Sequence, residues 1–281
     1  MKKIFALLLA VLLITGALTA CGGSKDNSGE VANSALSDAK IKIPDFSQMT
    51  KEQAEQFATD NGLKVKFVYD YYDPSKAANA IVRQSYGVGY QANSGAEVTL
   101  HINNDYYKYF DLKIIDEGTG LVGVSWAGKA TKGPYDKYKS KGTYIIIGFK
   151  NLTSLPKTLV IPETFDGVPI TMTQNKIFNN IKVENVVFPS TLKIVGYDIF
   201  NARSTNIKNI VFMSEEEPFV GSFTFTDAQQ QSVKIYVPDA SVETYKEGVK
   251  KGGPFNIYSP MVKPYSEVDE SIKAAIEEQK K

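Results

Sequence analysis

The apolar and polar positions fall into five regimes along the 281-residue chain. Ile4 to Leu18 is apolar apart from Thr15 and Gly16 and follows the basic head Met1-Lys2-Lys3, the pattern of a secretory signal and too short to span a bilayer. From Gly22 to about Lys40 the chain is rich in Gly, Ser, Asn, Asp and Ala without an aliphatic run, so it cannot offset the entropy of ordering and is expected to be a flexible tether. Between 43 and 103 one helical stretch is followed by alternating strands. Between 159 and 238 short apolar tetrads recur, and the tail from Ser266 returns to helical spacing.

In the third regime, Thr50-Lys51-Glu52-Gln53 has the form of a capping box, with Thr50 as N-cap. Ala54, Phe57 and Ala58 fall on one helical face and Gly62 stands where a left-handed terminal residue is wanted. Three extended stretches follow: Leu63 to Tyr71, Ala80 to Ser85 and Ala96 to Ile102, with Val98, Leu100 and Ile102 alternating in the last. The lone His101 alternates away from these and is expected to face solvent. One helix on three strands is predicted.

The fourth regime repeats. Leu159-Val160-Ile161-Pro162, Val186-Val187-Phe188-Pro189, Ile210-Val211-Phe212-Met213 and Ile235-Tyr236-Val237-Pro238 end 27, 24 and 25 residues apart. A second landmark keeps phase with them at Ile177-Phe178, Ile199-Phe200 and Phe223-Thr224-Phe225. Matching offsets of two features imply stacked units in which each strand pairs with the next and each aromatic fills the core between units. Residues 108 to 150 and 239 to 258 are expected to cap the array. In the tail, Val268, Ile272, Ala275 and Ile276 share a helical face that would dock as a further cap.

Three resemblances attach to these residues. Leu18-Thr19-Ala20-Cys21-Gly22 resembles the lipobox of bacterial lipoproteins, which implies a diacylglyceryl group on Cys21 and cleavage before it. Ile43-Pro44-Asp45-Phe46, Thr50 to Ala54, Gly62-Leu63-Lys64-Val65, Gln84-Ser85 and Gly95-Ala96-Glu97-Val98-Thr99-Leu100 resemble the landmarks of the PASTA domain, a module associated with peptidoglycan and the cell wall. Tyr86 departs from the proline usual there, and the turn Gly87 to Ser94 is longer than the family's. Phe188-Pro189-Ser190-Thr191-Leu192 through Gly196 to Ile199-Phe200 is similar to the BspA-like leucine-rich repeat, found in surface adhesins.

Composition narrows the function. Lys plus Arg number 32 against 31 Asp plus Glu, so no field of one sign exists to attract nucleic acid or anionic lipid. The one Cys excludes an internal disulfide, and the one His leaves no partner for a nucleophile. No zinc spacing and no Gly-rich phosphate loop is present, and no cofactor is implied. Paired carboxylates stay formally open, with Glu215-Glu216-Glu217 the obvious suspect and a solvated loop the ordinary reading. Tyr69, Tyr71, Tyr72, Tyr86 and Tyr90 are candidate sugar-facing rings or half-buried strand residues.

The fold expected is α+β: a small PASTA-like domain, one helix on a three-stranded sheet, plus a short leucine-rich-repeat solenoid with parallel strands. The expected organisation is a signal peptide at 1–20, a tether at 21–40, the PASTA-like domain at 41–104, the repeat domain with its caps at 108–265 and a C-terminal helix at 266–281. The expected function is that of a non-catalytic lipoprotein on the extracytoplasmic face of the bacterial cell membrane. Lipidated Cys21 would hold the membrane, the PASTA-like module would bind peptidoglycan and the repeats a protein ligand. The alternative is a surface adhesin or scaffold in which the PASTA-like module is only a spacer.

Overall fold

The computed structural model describes residues 40–116, 141–221, 223–248 and 254–279. The signal peptide, Cys21 and the tether expected at 21–40, apart from Lys40, lie outside the described residues. The described residues all belong to one compact unit.

The first module begins with β1 (Ile41–Lys42) and α1 (Lys51–Asp60). The capping box forms as its sequence dictates: Gln53 N–H donates to Thr50 Oγ1 at 3.2 Å and Thr50 N–H to Gln53 Oε1 at 2.8 Å, which satisfies two orphan amides of the first turn. Gly62 ends the helix at φ 68°, a conformation glycine adopts without Cβ strain. The strands are β2 (Lys64–Tyr71), β3 (Ile81–Gln84), β4 (Gln91–Ala92) and β5 (Glu97–Asn103). β5 lies between β2, parallel, and β3, antiparallel, while β1 pairs with β4. Ala54 and Ala58 of the helix are buried with Val98, Leu100 and Ile102, and Phe46 meets Phe57 edge-on at 5.7 Å.

The remaining strands form two sheets. They are β6 (Phe110–Ile114), β7 (Tyr144–Phe149), β8 (Thr158–Val160), β9 (Thr164–Phe165), β10 (Val168–Thr173), β11 (Asn185–Phe188), β12 (Ile194–Val195), β13 (Asn209–Phe212) and β14 (Phe219–Val220). After them come α2 (Asp227–Ser232), β15 (Lys234–Val237), α3 (Val242–Glu247), α4 (Pro254–Ile257), β16 (Val262–Pro264) and α5 (Glu270–Gln279). One sheet runs β8-β11-β13-β15-β16, all parallel; the other runs β6-β7-β10-β12-β14, parallel except for β6.

The recurring tetrads are the strands of the first sheet and pair in phase: Leu159 opposite Val186, Val186 opposite Ile210, Ile210 opposite Ile235. Strict phase follows from the burial of both faces, since a one-residue slip would turn every side chain to the wrong side. Between the sheets Phe178 stacks on Phe200 at 5.0 Å and Phe200 on Phe225 at 6.2 Å, while Phe188 stacks on Phe212 at 4.8 Å. A polar ladder crosses the strand starts: Asn209 Nδ2 donates to Asn185 Oδ1 at 2.8 Å, and Asn185 Nδ2 to Thr158 Oγ1 at 2.9 Å. The sheet's outer face, Val160, Val187, Val211 and Tyr236, is covered by Val268, Ile272 and Ile276 of α5 and its approach.

Candidate functional site

The long turn that departs from the family pattern builds an aromatic ledge. The Gln84 side chain fixes its start: Oε1 accepts from Phe46 N–H at 2.9 Å, and Nε2 donates to the carbonyls of Pro44 at 3.0 Å and Tyr86 at 2.7 Å. Its far side is tied to the same segment, because Ile43 N–H donates to Tyr90 O and Gly89 N–H to Ile43 O, both at 2.8 Å. Held at both ends, the turn brings Tyr86 and Tyr90 face to face with ring centroids 4.8 Å apart and planes 15° apart. Tyr86 rests on the module core, whereas Tyr90 is 52% exposed and Val88 beside it 65%. A rigid ring with an apolar face and a polar hydroxyl suits the alternating CH and OH surface of a sugar. The other three candidates do not join this ledge. Tyr69 is half-buried, its hydroxyl accepting from Lys51 Nζ at 2.9 Å; Tyr71 stacks on Phe165 at 5.6 Å; Tyr72 is half-buried near the end of β2.

His101 does not face solvent as its strand position implied. Its side chain is 14% exposed, with Nδ1 2.9 Å from Asp70 Oδ1 and 3.8 Å from Asp166 Oδ1. Asp166 comes from the tip of the β9–β10 hairpin, where Asp166 at φ 52° and Gly167 at φ 72° make the two-residue turn that matches strand twist. This tip is seated on the first module: Asp70 accepts from Gly167 N–H, the Asp70 carbonyl accepts from Asp166 N–H at 2.6 Å, and Arg83 donates to Asp166. Phe165 adds apolar contact with Tyr71, Tyr107 and Tyr144. The cluster is a joint between modules. No serine, cysteine or second imidazole joins it among the described residues, and no group of three or more His, Cys, Asp or Glu able to hold a metal occurs among them.

A short bracket, Asp105 to Tyr109, completes the joint. Tyr107 donates to the Thr164 carbonyl at 2.5 Å, and the Tyr106 hydroxyl accepts from Val160 N–H at 2.8 Å on the edge strand β8. Burial pushes both phenols well above their ordinary value; for Tyr106 the bond to Val160 opposes this, and for Tyr107 the charges of Asp70 and Glu163 add to it.

Beside the joint lies a groove of about 460 Å3, within the roughly 300–1,000 Å3 typical of ligand sites. Lys66 to Asp70 of β2 form one wall, Val160, Val187 and Met213 belong to its lining from the five-stranded sheet, and Ile276 and Gln279 of α5 close it. A second, open hollow of about 540 Å3 lies over the loops at Lys176, Asn179, Asp198, Asn201 and Arg203. Four of its polar side chains engage one another in pairs: Asn201 Nδ2 donates to Asn179 Oδ1 at 2.9 Å and Thr224 Oγ1 to Asp198 Oδ1 at 2.9 Å. Glu215 and Glu216 are exposed, and the Glu216 carbonyl accepts from Ser214 Oγ at 2.7 Å and from Tyr245 at 3.2 Å.

No helix among the described residues is long and apolar enough to cross a membrane. No curated protein and no solved structure matches the chain. The capped helix, the three-stranded sheet and the residues that support the ledge all belong to one stretch, residues 41–104, and it is this stretch that the family model of the PASTA domain matches: the first module is a PASTA domain.

Proposed function

We propose that the protein is a non-catalytic cell-surface lipoprotein, held on the extracytoplasmic face of the bacterial membrane by a lipid on Cys21, whose PASTA domain engages peptidoglycan. One observation carries this reading: the segment matched as a PASTA domain presents the open Tyr86–Tyr90 stack, supported from behind by Gln84. The lipobox-like Leu18-Thr19-Ala20-Cys21 supports the anchor, since two acyl chains hold stably where one holds marginally. In this reading the in-phase parallel tetrads are a short leucine-rich-repeat array of the BspA-like kind, its sheets offering a face for a protein ligand.

Co-sedimentation with purified peptidoglycan sacculi tests the wall assignment, using the unlipidated Cys21→Ser chain. Saturable pelleting is expected, with Tyr90→Ala weakening it about two- to tenfold, the worth of one aromatic contact. No pelleting, or pelleting unchanged by Tyr90→Ala and Tyr86→Ala together, removes the proposal. A second reading, surface adhesin with the PASTA domain as a fixed spacer, is favoured by the joint at Asp70, His101, Asp166 and Arg83, which seats the module on the hairpin tip. Metabolic labelling with palmitate tests the anchor, and label retained in Cys21→Ser would refute it.

A further inference from the structure

The groove beside β2 is bounded by a strand seen edge-on. Five consecutive residues of β2, Lys66 to Asp70, line it. Alternate side chains of a strand go to opposite faces, so a strand offers consecutive residues to one groove only along its edge. The order β2-β5-β3 leaves that edge without a neighbouring strand. Lys64, opposite Glu97, donates its N–H to the Ala96 carbonyl at 2.9 Å, so its backbone faces β5. Backbone groups alternate sides along a strand, which turns Lys66 and Val68 toward β5 and turns Val65 and Phe67 outward. The register shifts after Val68, and there the Tyr69 carbonyl accepts from Asn104 Nδ2 at 2.9 Å. The N–H and C=O of Val65 and Phe67 have no hydrogen-bond partner among the described residues.

The complement of such an edge is another extended backbone. Apolar surface for its side chains is supplied by Val160, Val187, Met213 and Ile276 across the groove. Enclosure selects the occupant: this edge is one wall of a space of about 460 Å3 whose other walls belong to the same chain, so a folded second copy cannot lay its own recessed β2 alongside it, whereas an extended segment can enter, and a carboxylate on it would meet the exposed Lys66 favourably if placed away from Asp70 and Glu163, which also line the groove. We propose that this groove takes an extended segment of a partner protein, with apolar residues alternating with polar or acidic ones, which adds to β2 as a further strand.

The test selects random octapeptides by phage display on the immobilised full chain and measures the enriched peptides, synthesised, against the 15N-labelled full chain. Enriched peptides are expected to slow hydrogen exchange of the Val65 and Phe67 amides. N-methylation at alternate peptide residues, which removes the ladder donors and keeps the side chains, is expected to weaken binding at least tenfold. Any of the following overturns the proposal: no enriched peptide perturbs Val65 and Phe67; N-methylated peptides bind equally well; or these amides shift with protein concentration alone, which makes a second copy the occupant. Soluble muropeptides displacing the enriched peptides from the same amides would also overturn it, by making the groove a wall-ligand site.

Discussion

Asp70 and Gly167, ninety-seven residues apart in sequence, are joined by a hydrogen bond from the Gly167 backbone N–H to the Asp70 carboxylate, and the same carboxylate holds His101 Nδ1 at 2.9 Å. One buried acid thus ties together the edge and central strands of the PASTA domain's sheet and the hairpin tip of the next module. Asp70→Ala leaves the amide and the imidazole without their acceptor in a buried setting, at a cost of about 2–3 kcal/mol. Thermal unfolding of the chain should fall by about 5–10 °C. A shift below about 1 °C would show that the joint adds nothing to stability.

Gly196 is required by space. A Cβ there would stand 2.5 Å from the carbonyl carbon and oxygen of Gln174 and 2.6 Å from Asn175 N, all backbone atoms that cannot swing aside. Gly196→Ala should therefore cost about 1–3 kcal/mol. Gly87→Ala, in the ledge turn, meets nothing within 4 Å and serves as control with little expected change. Equal melting temperatures for the two variants would refute the close approach.

The phase of the tetrads, the capping box at Thr50 and the aromatic fill at Phe178 and Phe200 were legible because each is a local pattern or a fixed period. Gly221, which follows Gly196 by 25 residues and lies under Tyr197, carries the same period. The Asp166-Gly167 dipeptide was likewise a readable hairpin signal. What the sequence could not show was company: His101 meets Asp70 from 31 residues away and Asp166 from the hairpin tip, and no local rule connects them. The Tyr86–Tyr90 stack was hidden for the opposite reason. It comes from the insertion that breaks the family pattern, so the resemblance marked only that something differed there.

Tyr245 makes the alkaline limb of stability testable. Its hydroxyl donates to the Ser214 carbonyl at 2.8 Å, and burial, with the Glu217 charge adding, holds its ionisation above the ordinary value of 10.0 against the smaller opposing effect of the Ser214 side chain. A proton bound more tightly in the folded state gives stability that is complete below pH 10 and is lost as pH rises above it. Tyr245→Phe forfeits about 1 kcal/mol at pH 8 through the missing hydrogen bond. It also removes a loss of up to about 1.4 kcal/mol per pH unit above 10, so the gap between variant and parent should close near pH 11. Urea unfolding at pH 8, 10 and 11 measures this; a gap that stays constant would mean the phenol is not the group resisting ionisation.

Helix α5 covers the outer face of the five-stranded sheet, and Ile272 is the middle contact of that cover. It is 1% exposed and clusters with Val160, Val187, Val211 and Tyr236, one residue from each of four adjacent strands, between Val268 and Ile276 of its own segment. The sheet cannot leave this row open to water, because contiguous apolar surface of that kind drives association. Ile272→Ala, which leaves a cavity but keeps the helix amphipathic, should cost about 2–4 kcal/mol. Ile272→Asp places an unpaired charge in the same row and should release the helix, seen as fast amide exchange across 270–279 and a shift toward dimers in size-exclusion chromatography. If Ile272→Asp elutes as the parent does with α5 amides still protected, the helix is held by something other than this row, and the groove wall at Ile276 and Gln279 would then be fixed independently of the sheet.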